Sequence, residues 1–317
     1  MGWKLLLGLA ALLALGWALT LWQAARSEAR AEAEYPPSGK FISVDGRRVH
    51  YIQEGSGPDL LLIHGASGNL RDWTFAAVDR LKSRYRVTVI DRPGLGYTQR
   101  LDADGASITE QADLLVAAAA QLGLERPVVL GHSYGGSVAL ALAVHHPQAL
   151  SALVLVSAPS IPWGSDLPTY YRITAHPVLG PLAAPLLAAW VPDRLVRDAV
   201  HDVFAPQEPP AGYIEHFPAR LSLRRDTIRE NALQRANLLA EVTLLAPHYD
   251  RITVPVELVH GDTDTTVGLS IHSLPLSQRL KGAALTALPG IGHMPHHVAP
   301  AQVEAAIDRA ALRAGLR

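Results

Sequence analysis

The sequence predicts an α/β protein: a mostly parallel, doubly wound sheet with an inserted helical cap, preceded by an N-terminal transmembrane helix. Three observations predict it. Short, almost wholly apolar strands alternate with helical stretches; an interval at 159–252 breaks that alternation; and an uncharged apolar run opens the chain. Buried parallel strands read as continuous apolar runs because both of their faces are covered by helices. The expected divisions are an anchor (1–25), a linker (26–38), a first core part (39–158), a cap (159–252) and a second core part (253–317).

The opening run, residues 5–22, reads LLLGLAALLALGWALTLW, with neither charge nor proline. As a helix it rises about 27 Å, and from Trp3 about 30 Å, the thickness of a bilayer core. Trp3 and Trp22 fall where interfacial aromatics belong. The expected partner of residues 3–22 is therefore the lipid bilayer. A signal peptide has a shorter apolar core and a small-x-small cleavage site. Cleavage near Ala18-Leu19-Thr20, releasing a secreted protein, is the alternative. Lys4 before the span nearly balances Arg26 and Arg30 after it, so the positive-inside rule gives only a slight bias to an extracytoplasmic domain. Residues 26–38 are rich in Ala, Glu and Arg and end in Pro36-Pro37, which reads as a stalk beginning as helix and stopping at the prolines.

Two strand-like runs around Asp45-Gly46 predict a hairpin over 40–53. Strands follow at 59–64, 86–90, 128–130, 152–156, 256–260 and 284–288. Helices are expected at 73–83, 108–122, 133–146 and 300–314. The interval 159–252 holds many prolines and helical pieces but no clear strand, and it is too long for a loop in a compact domain.

Composition narrows the function. The 317 residues carry a formal charge of −1, so no basic face suggests nucleic acid as a partner. The absence of cysteine rules out disulfides, thiolate metal sites and a thiol nucleophile. His293, His296 and His297 cluster on a Gly/Pro loop without paired carboxylates, so no metal is expected. No G-x-G-x-x-G after a strand and no Walker loop occurs, so no nucleotide cofactor is expected.

Residues 128–136, VVLGHSYGG, are a strand followed by G-x-S-x-G and a helix. The glycines permit a tight strand-to-helix turn that leaves Ser133 exposed at a helix N-terminus. A serine hydroxyl needs a base, and the base needs an orienting carboxylate. Gly261-Asp262-Thr263-Asp264 follows one late strand and Gly290-Ile291-Gly292-His293 follows the next. Both lie at carboxyl ends of strands, where ligands meet open α/β sheets.

Taken together, His64-Gly65-Ala66, Asp91-Arg92-Pro93-Gly94-Leu95-Gly96, the Ser133 elbow, Gly261-Asp262-Thr263-Asp264 and Gly292-His293 resemble the α/β-hydrolase-fold serine hydrolases. The resemblance is to the cap-bearing branch of esterases, C–C hydrolases and epoxide hydrolases, and spans about 41–314. It implies Ser133 as nucleophile, His293 as base and Asp264 as its partner, with Asp262 a turn carboxylate. The backbone N–H groups of Ala66 and Tyr134 would form the oxyanion hole. His64 and the Asp91–Gly96 loop read as architecture. Epoxide hydrolases and dehalogenases carry Asp at the elbow, whereas Ser133 implies acyl transfer to serine.

The cap bears on substrate. Residues 176–190 are almost wholly apolar, suiting core packing, an apolar tunnel wall or a face dipping into the bilayer. Arg220, Arg224, Arg225, Arg229 and Arg235, interspersed with Asp226 and Glu230, suit a solvated helix; a clamp on a substrate carboxylate is the sharper reading. The expected activity is hydrolysis of a small apolar or lipid-like ester. C–C bond, thioester or amide hydrolysis and perhydrolysis are the enzymatic alternatives, and a membrane-tethered binding protein is the non-enzymatic one.

Overall fold

The computed structural model describes residues 2–317. A long helix, α1 (Gly2–Glu34), leads into the hairpin β1 (Lys40–Val44) and β2 (Arg47–Glu54). Strand β3 (Asp59–Ile63) is followed by two short helices, α2 (Arg71–Thr74) and α3 (Ala77–Leu81), then by β4 (Arg86–Ile90) and α4 (Ile108–Gln121). Next come β5 (Val128–His132), α5 (Tyr134–His145) and β6 (Ala152–Val156). The eight strands order as β1-β2-β4-β3-β5-β6-β7-β8, with β7 at Val256–Gly261 and β8 at Ala284–Leu288. The pairs β1–β2 and β2–β4 are antiparallel, and all others are parallel. This is the doubly wound sheet that the apolar strands predict.

Between β6 and β7 lie α6 (Thr169–Ala175), α7 (Leu179–Trp190), α8 (Asp193–Phe204), α9 (Tyr213–His216) and α10 (Arg225–Leu245), with no strand among the described residues. The chain closes with α11 (Ser273–Arg279), α12 (Pro295–Val298) and α13 (Pro300–Arg313). One face of the sheet packs against α4, α5, α10 and α11 through residues such as Leu115, Leu142, Leu238 and Leu276. The other face packs against α2, α3 and α13 through Trp73, Val78 and Val303. Leu238, Val242 and Leu245 lie in the first of these clusters, so the second half of α10 belongs to the core by packing although it falls within the cap in sequence.

Two local expectations differ from the structure. The single helix expected at 73–83 is broken at Ala76, whose φ of −153° leaves the helical region. The break lets α2 bury Asp72 and Trp73 while α3 buries Val78 and Leu81. The stalk expected at 26–38 is helical as far as Glu34 and stops before Pro36-Pro37, as expected, but its helix is continuous with the apolar half of α1 and is docked. Thr20, Ala24 and Ala31 are buried along one face, a spacing that keeps small residues on one helical stripe. Thr20 Oγ1 accepts a 3.1 Å hydrogen bond from Trp190 Nε1 on α7. Glu28 receives a bidentate pair from Arg225 at 2.8 and 2.9 Å, and Glu32 pairs with Arg224 at 2.9 Å. Charged partners on the cap, invisible in the local sequence, hold the helix beyond its apolar half.

Candidate active site

Ser133, Asp264, His293 and Ala66 come from four loops, following β5, β7, β8 and β3, all at carboxyl ends of parallel strands. Ser133 sits at φ 50°, ψ −125°, a conformation costly for a residue with a Cβ and kept only where the surroundings enforce it. They do so here through close packing: a Cβ at Gly135 would meet the carbonyl oxygens of Ile63 and His64 at 2.5 Å. Glycine at that position lets α5 start against the β3 loop, with Ser133 raised between them.

His293 Nε2 lies 3.0 Å from Ser133 Oγ, and His293 Nδ1 lies 2.7 Å from Asp264 Oδ2. All three side chains are buried. Asp264 Oδ1 also accepts the backbone N–H groups of Thr266 and Val267, each at 2.8 Å. Burial alone would raise the Asp264 carboxyl; hydrogen bonds from His260 and His293 outweigh it and hold the group well below the usual carboxylate range. Asp264 therefore stays ionised and fixes Nδ1 of His293 as the donor, which leaves Nε2 to accept the Ser133 proton. Asp262 points elsewhere: its Oδ1 accepts the Gly290 N–H at 2.7 Å and braces the turn that leads to His293.

Ala66 and Tyr134 both line the cavity in front of Ser133. No protein acceptor engages either backbone N–H among the described residues. The loop carrying Ala66 is held from behind by Arg92, which is fully buried. Its Nε donates to His64 O at 3.0 Å, its Nη2 to Gly65 O at 2.9 Å, and its Nη1 to Gln111 and Gln234 at 2.9 Å each. Burial brings its pKa down to about 10. His64 accepts the Arg92 N–H at Nε2 and donates from Nδ1 to Gly65 O; burial, then the Arg92 charge, lower it to about 4, so it is neutral. Asp91 accepts from Leu70 N and Tyr97 N and pairs with His50. The Asp91–Gly96 loop is thus architecture, and Asp91 and Arg92 have separate partners rather than each other.

Several neighbours are not marked as part of the site by the sequence, although His296 and His297 stand out there as a histidine cluster. The carboxylate of Asp72 on α2 accepts from Tyr213 Oη at 2.7 Å, His297 Nε2 at 2.8 Å and His296 Nε2 at 3.1 Å. Burial, then the nearby His297, lower His296 to about 4. Asp72, His132 and His296 also offer three atoms within 4.8 Å of one another; the carboxylate among them already accepts three hydrogen bonds. His132 Nε2 donates to His293 O at 3.0 Å, so the elbow and the His293 loop are linked directly. Asn231 on α10 bonds both Ser67 N and Ser67 Oγ, at 2.7 and 2.9 Å, immediately after Ala66. These contacts join segments far apart in the chain, and only the folded topology brings them together.

A cavity of about 1140 Å³ lies between this site and the cap. Its wall is largely apolar, with Trp163, Leu187, Val191, Leu195, Val203 and Phe204 from the cap and Met294 beside His293. Such a volume is at the upper end of small-molecule pockets.

Comparison with known proteins agrees with this architecture. Residues 58–300 match the family described as the alpha/beta hydrolase fold. The chain belongs to that family. An uncharacterised protein of Mycobacterium tuberculosis (strain ATCC 25618 / H37Rv) is 30% identical, covering 89% of this chain and 87% of its own. Haloalkane dehalogenase 2 of the same strain is 26% identical, covering 86% of this chain and 94% of its own. Among solved structures, a membrane phospholipase A described as a bacterial virulence factor is similar over 99% of both chains, at TM-score 0.65 and 24% identity. The family match supports a hydrolase, and the N-terminal helix is long and apolar enough to cross a membrane.

Proposed function

We propose that the protein is a membrane-anchored serine hydrolase that cleaves an ester of an apolar or lipid-like molecule through an acyl-enzyme. The observation that carries this reading is the Ser133–His293–Asp264 hydrogen-bond chain opening onto a large apolar cavity. Ser133 Oγ attacks the ester carbonyl carbon while its proton passes to His293 Nε2. The carbonyl oxygen, now negative, faces the N–H groups of Ala66 and Tyr134. Such donors contribute roughly 3 kcal/mol each in comparable sites. His293 returns the proton to the leaving alkoxide, the alcohol departs, and water repeats the sequence on the acyl-serine. Asp264 stabilises the imidazolium formed in both halves.

The membrane part of the reading rests on two adjacent surfaces. The apolar half of α1 is exposed, and α7, on which α1 docks, presents Val178, Leu182, Leu186 and Trp190 outward beside it. A row of exposed large apolar side chains next to a spanning helix suits contact with the same bilayer. The cavity wall shares α7 with that surface through Leu187, which suits substrate drawn from lipid.

The test is a panel of p-nitrophenyl esters of increasing chain length, assayed beside a vinylogous diketone with the full chain in detergent. Hydrolysis that favours medium or long acyl chains is expected. A preference for the diketone overturns the ester reading in favour of C–C hydrolysis.

A further inference from the structure

Helix α10 presents successive turns to the catalytic machinery. Asn231 holds the loop after Ala66, and Gln234 receives Arg92. Arg235, one turn beyond Asn231, lines the cavity itself. The other arginines around it are engaged: Arg224 with Glu32, Arg225 with Glu28, and Arg229 with the carbonyls of Thr174 and His176. Arg235 differs. Its guanidinium carbon lies 5.4 Å from the centre of the Tyr171 ring, and among the described residues no carboxylate or carbonyl accepts a hydrogen bond from it. The carboxylates that share the cavity wall do not neutralise it: Asp72 is occupied by His296, His297 and Tyr213, and Asp166 is exposed and forms no ion pair.

A planar fork of five donors thus lies beside one aromatic ring in a largely apolar wall. The ring attracts the charge, and the donor edge of the guanidinium is left without an acceptor among the described residues. Carboxylates and phosphodiesters match that edge with two parallel, charge-assisted hydrogen bonds. One helical turn, about 6 Å of rise, separates Arg235 from the residue that anchors the oxyanion loop. An anion on the fork would therefore belong to the same molecule as the scissile ester.

Building on the ester-hydrolase reading, we propose that Arg235 is the anion-recognition residue of this cavity, and that the preferred substrate carries a carboxylate or phosphodiester as well as the ester. The test compares matched pairs of substrates. One pair is a p-nitrophenyl dicarboxylate monoester and its ω-methyl-capped twin. The other is phosphatidylglycerol and the diacylglycerol with the same chains, both in mixed micelles. Wild-type protein at low salt is expected to favour the anionic member of at least one pair about tenfold in kcat/KM, chiefly through KM, with the advantage shrinking as salt is added. Arg235→Ala should cut that anionic-to-neutral ratio about tenfold, Arg235→Lys should keep part of it, and Arg235→Glu should invert it. A loss confined to the first pair assigns a free acid; one confined to the second assigns a phospholipid headgroup. A wild-type ratio of one or below in both pairs, or a ratio that Arg235→Ala leaves unchanged, overturns the anion site while the neutral esters still report a working hydrolase. If wild type cleaves none of the four, the hydrolase reading fails, and this proposal fails with it.

Discussion

The Ser133 face of the core and the outer surface of the cap use the same residue types in opposite ways. Around Ser133, histidines, carboxylates and an arginine are buried, and most are satisfied within a few residues of the reacting atoms: Asp264 by His293 and two amides, Arg92 by four acceptors. On the cap, leucines and a tryptophan stand exposed beside α1, and the charges there serve to clamp that helix. Buried polar groups demand fixed partners because leaving one unpaired is costly. Exposed apolar groups demand a second phase to face. The core is therefore built to hold geometry, while the cap with α1 carries the surface proposed to meet lipid.

The largest expected effect tests the core side. Asp264→Asn should lower kcat about ten-thousandfold by leaving His293 without its orienting carboxylate. Asp262→Asn, which affects only the brace to Gly290, should cost less than about tenfold. Steady-state kinetics on one p-nitrophenyl ester checks both, and the reverse ranking would refute the assignment. Next in size is Arg92→Leu. Four buried acceptors would lose their donor, at about 1–3 kcal/mol for each left unsatisfied. The urea midpoint of the full chain in micelles should drop accordingly; an unchanged midpoint would show that Arg92 does not hold the oxyanion loop.

A pH titration probes the same contrast more gently. His64, His272 and His296 are each lowered to about 4, burial being the first cause in every case. The unfolded chain takes up these protons near pH 6.5 and the folded chain only near 4. Stability should therefore fall as pH drops through that window, by up to about 1.4 kcal/mol per pH unit for each histidine. Denaturation midpoints at pH 7 and 5 check this, and equal values count against it. The smallest effect belongs to the cap. Replacing Glu28 and Glu32 together by Gln should cost only about 1 kcal/mol, as partly exposed ion pairs do. It should nevertheless speed proteolysis within residues 26–38 by releasing α1 from Arg224 and Arg225. Unaltered cleavage would mean that the apolar stripe of Thr20, Ala24 and Ala31 is sufficient for docking.

The same division explains what could be read from the chain. Strands such as Arg86–Ile90 and Ala152–Val156 were legible to the residue because apolar runs flanked by turns report burial directly. The strained turn at Ser133 was legible from a local motif, and the placing of His293 beside it from chain order. The choice of Asp264 over Asp262 came from family resemblance, since spacing alone allows either. Docking of 26–38 was not legible: Glu28 and Arg225 are 197 positions apart, and each alone looks like an ordinary surface charge. The hub at Asp72 was hidden for the same reason, with its partners on α9 and α12.

The central claim is that Ser133 is an activated nucleophile. Treating the full chain in detergent with a fluorophosphonate and locating the adduct by mass spectrometry tests it most directly. One phosphonylated residue is expected, Ser133, with labelling abolished in Ser133→Ala and strongly slowed in Asp264→Asn. Wild-type protein that fails to label, or that carries the adduct at another residue, would contradict it.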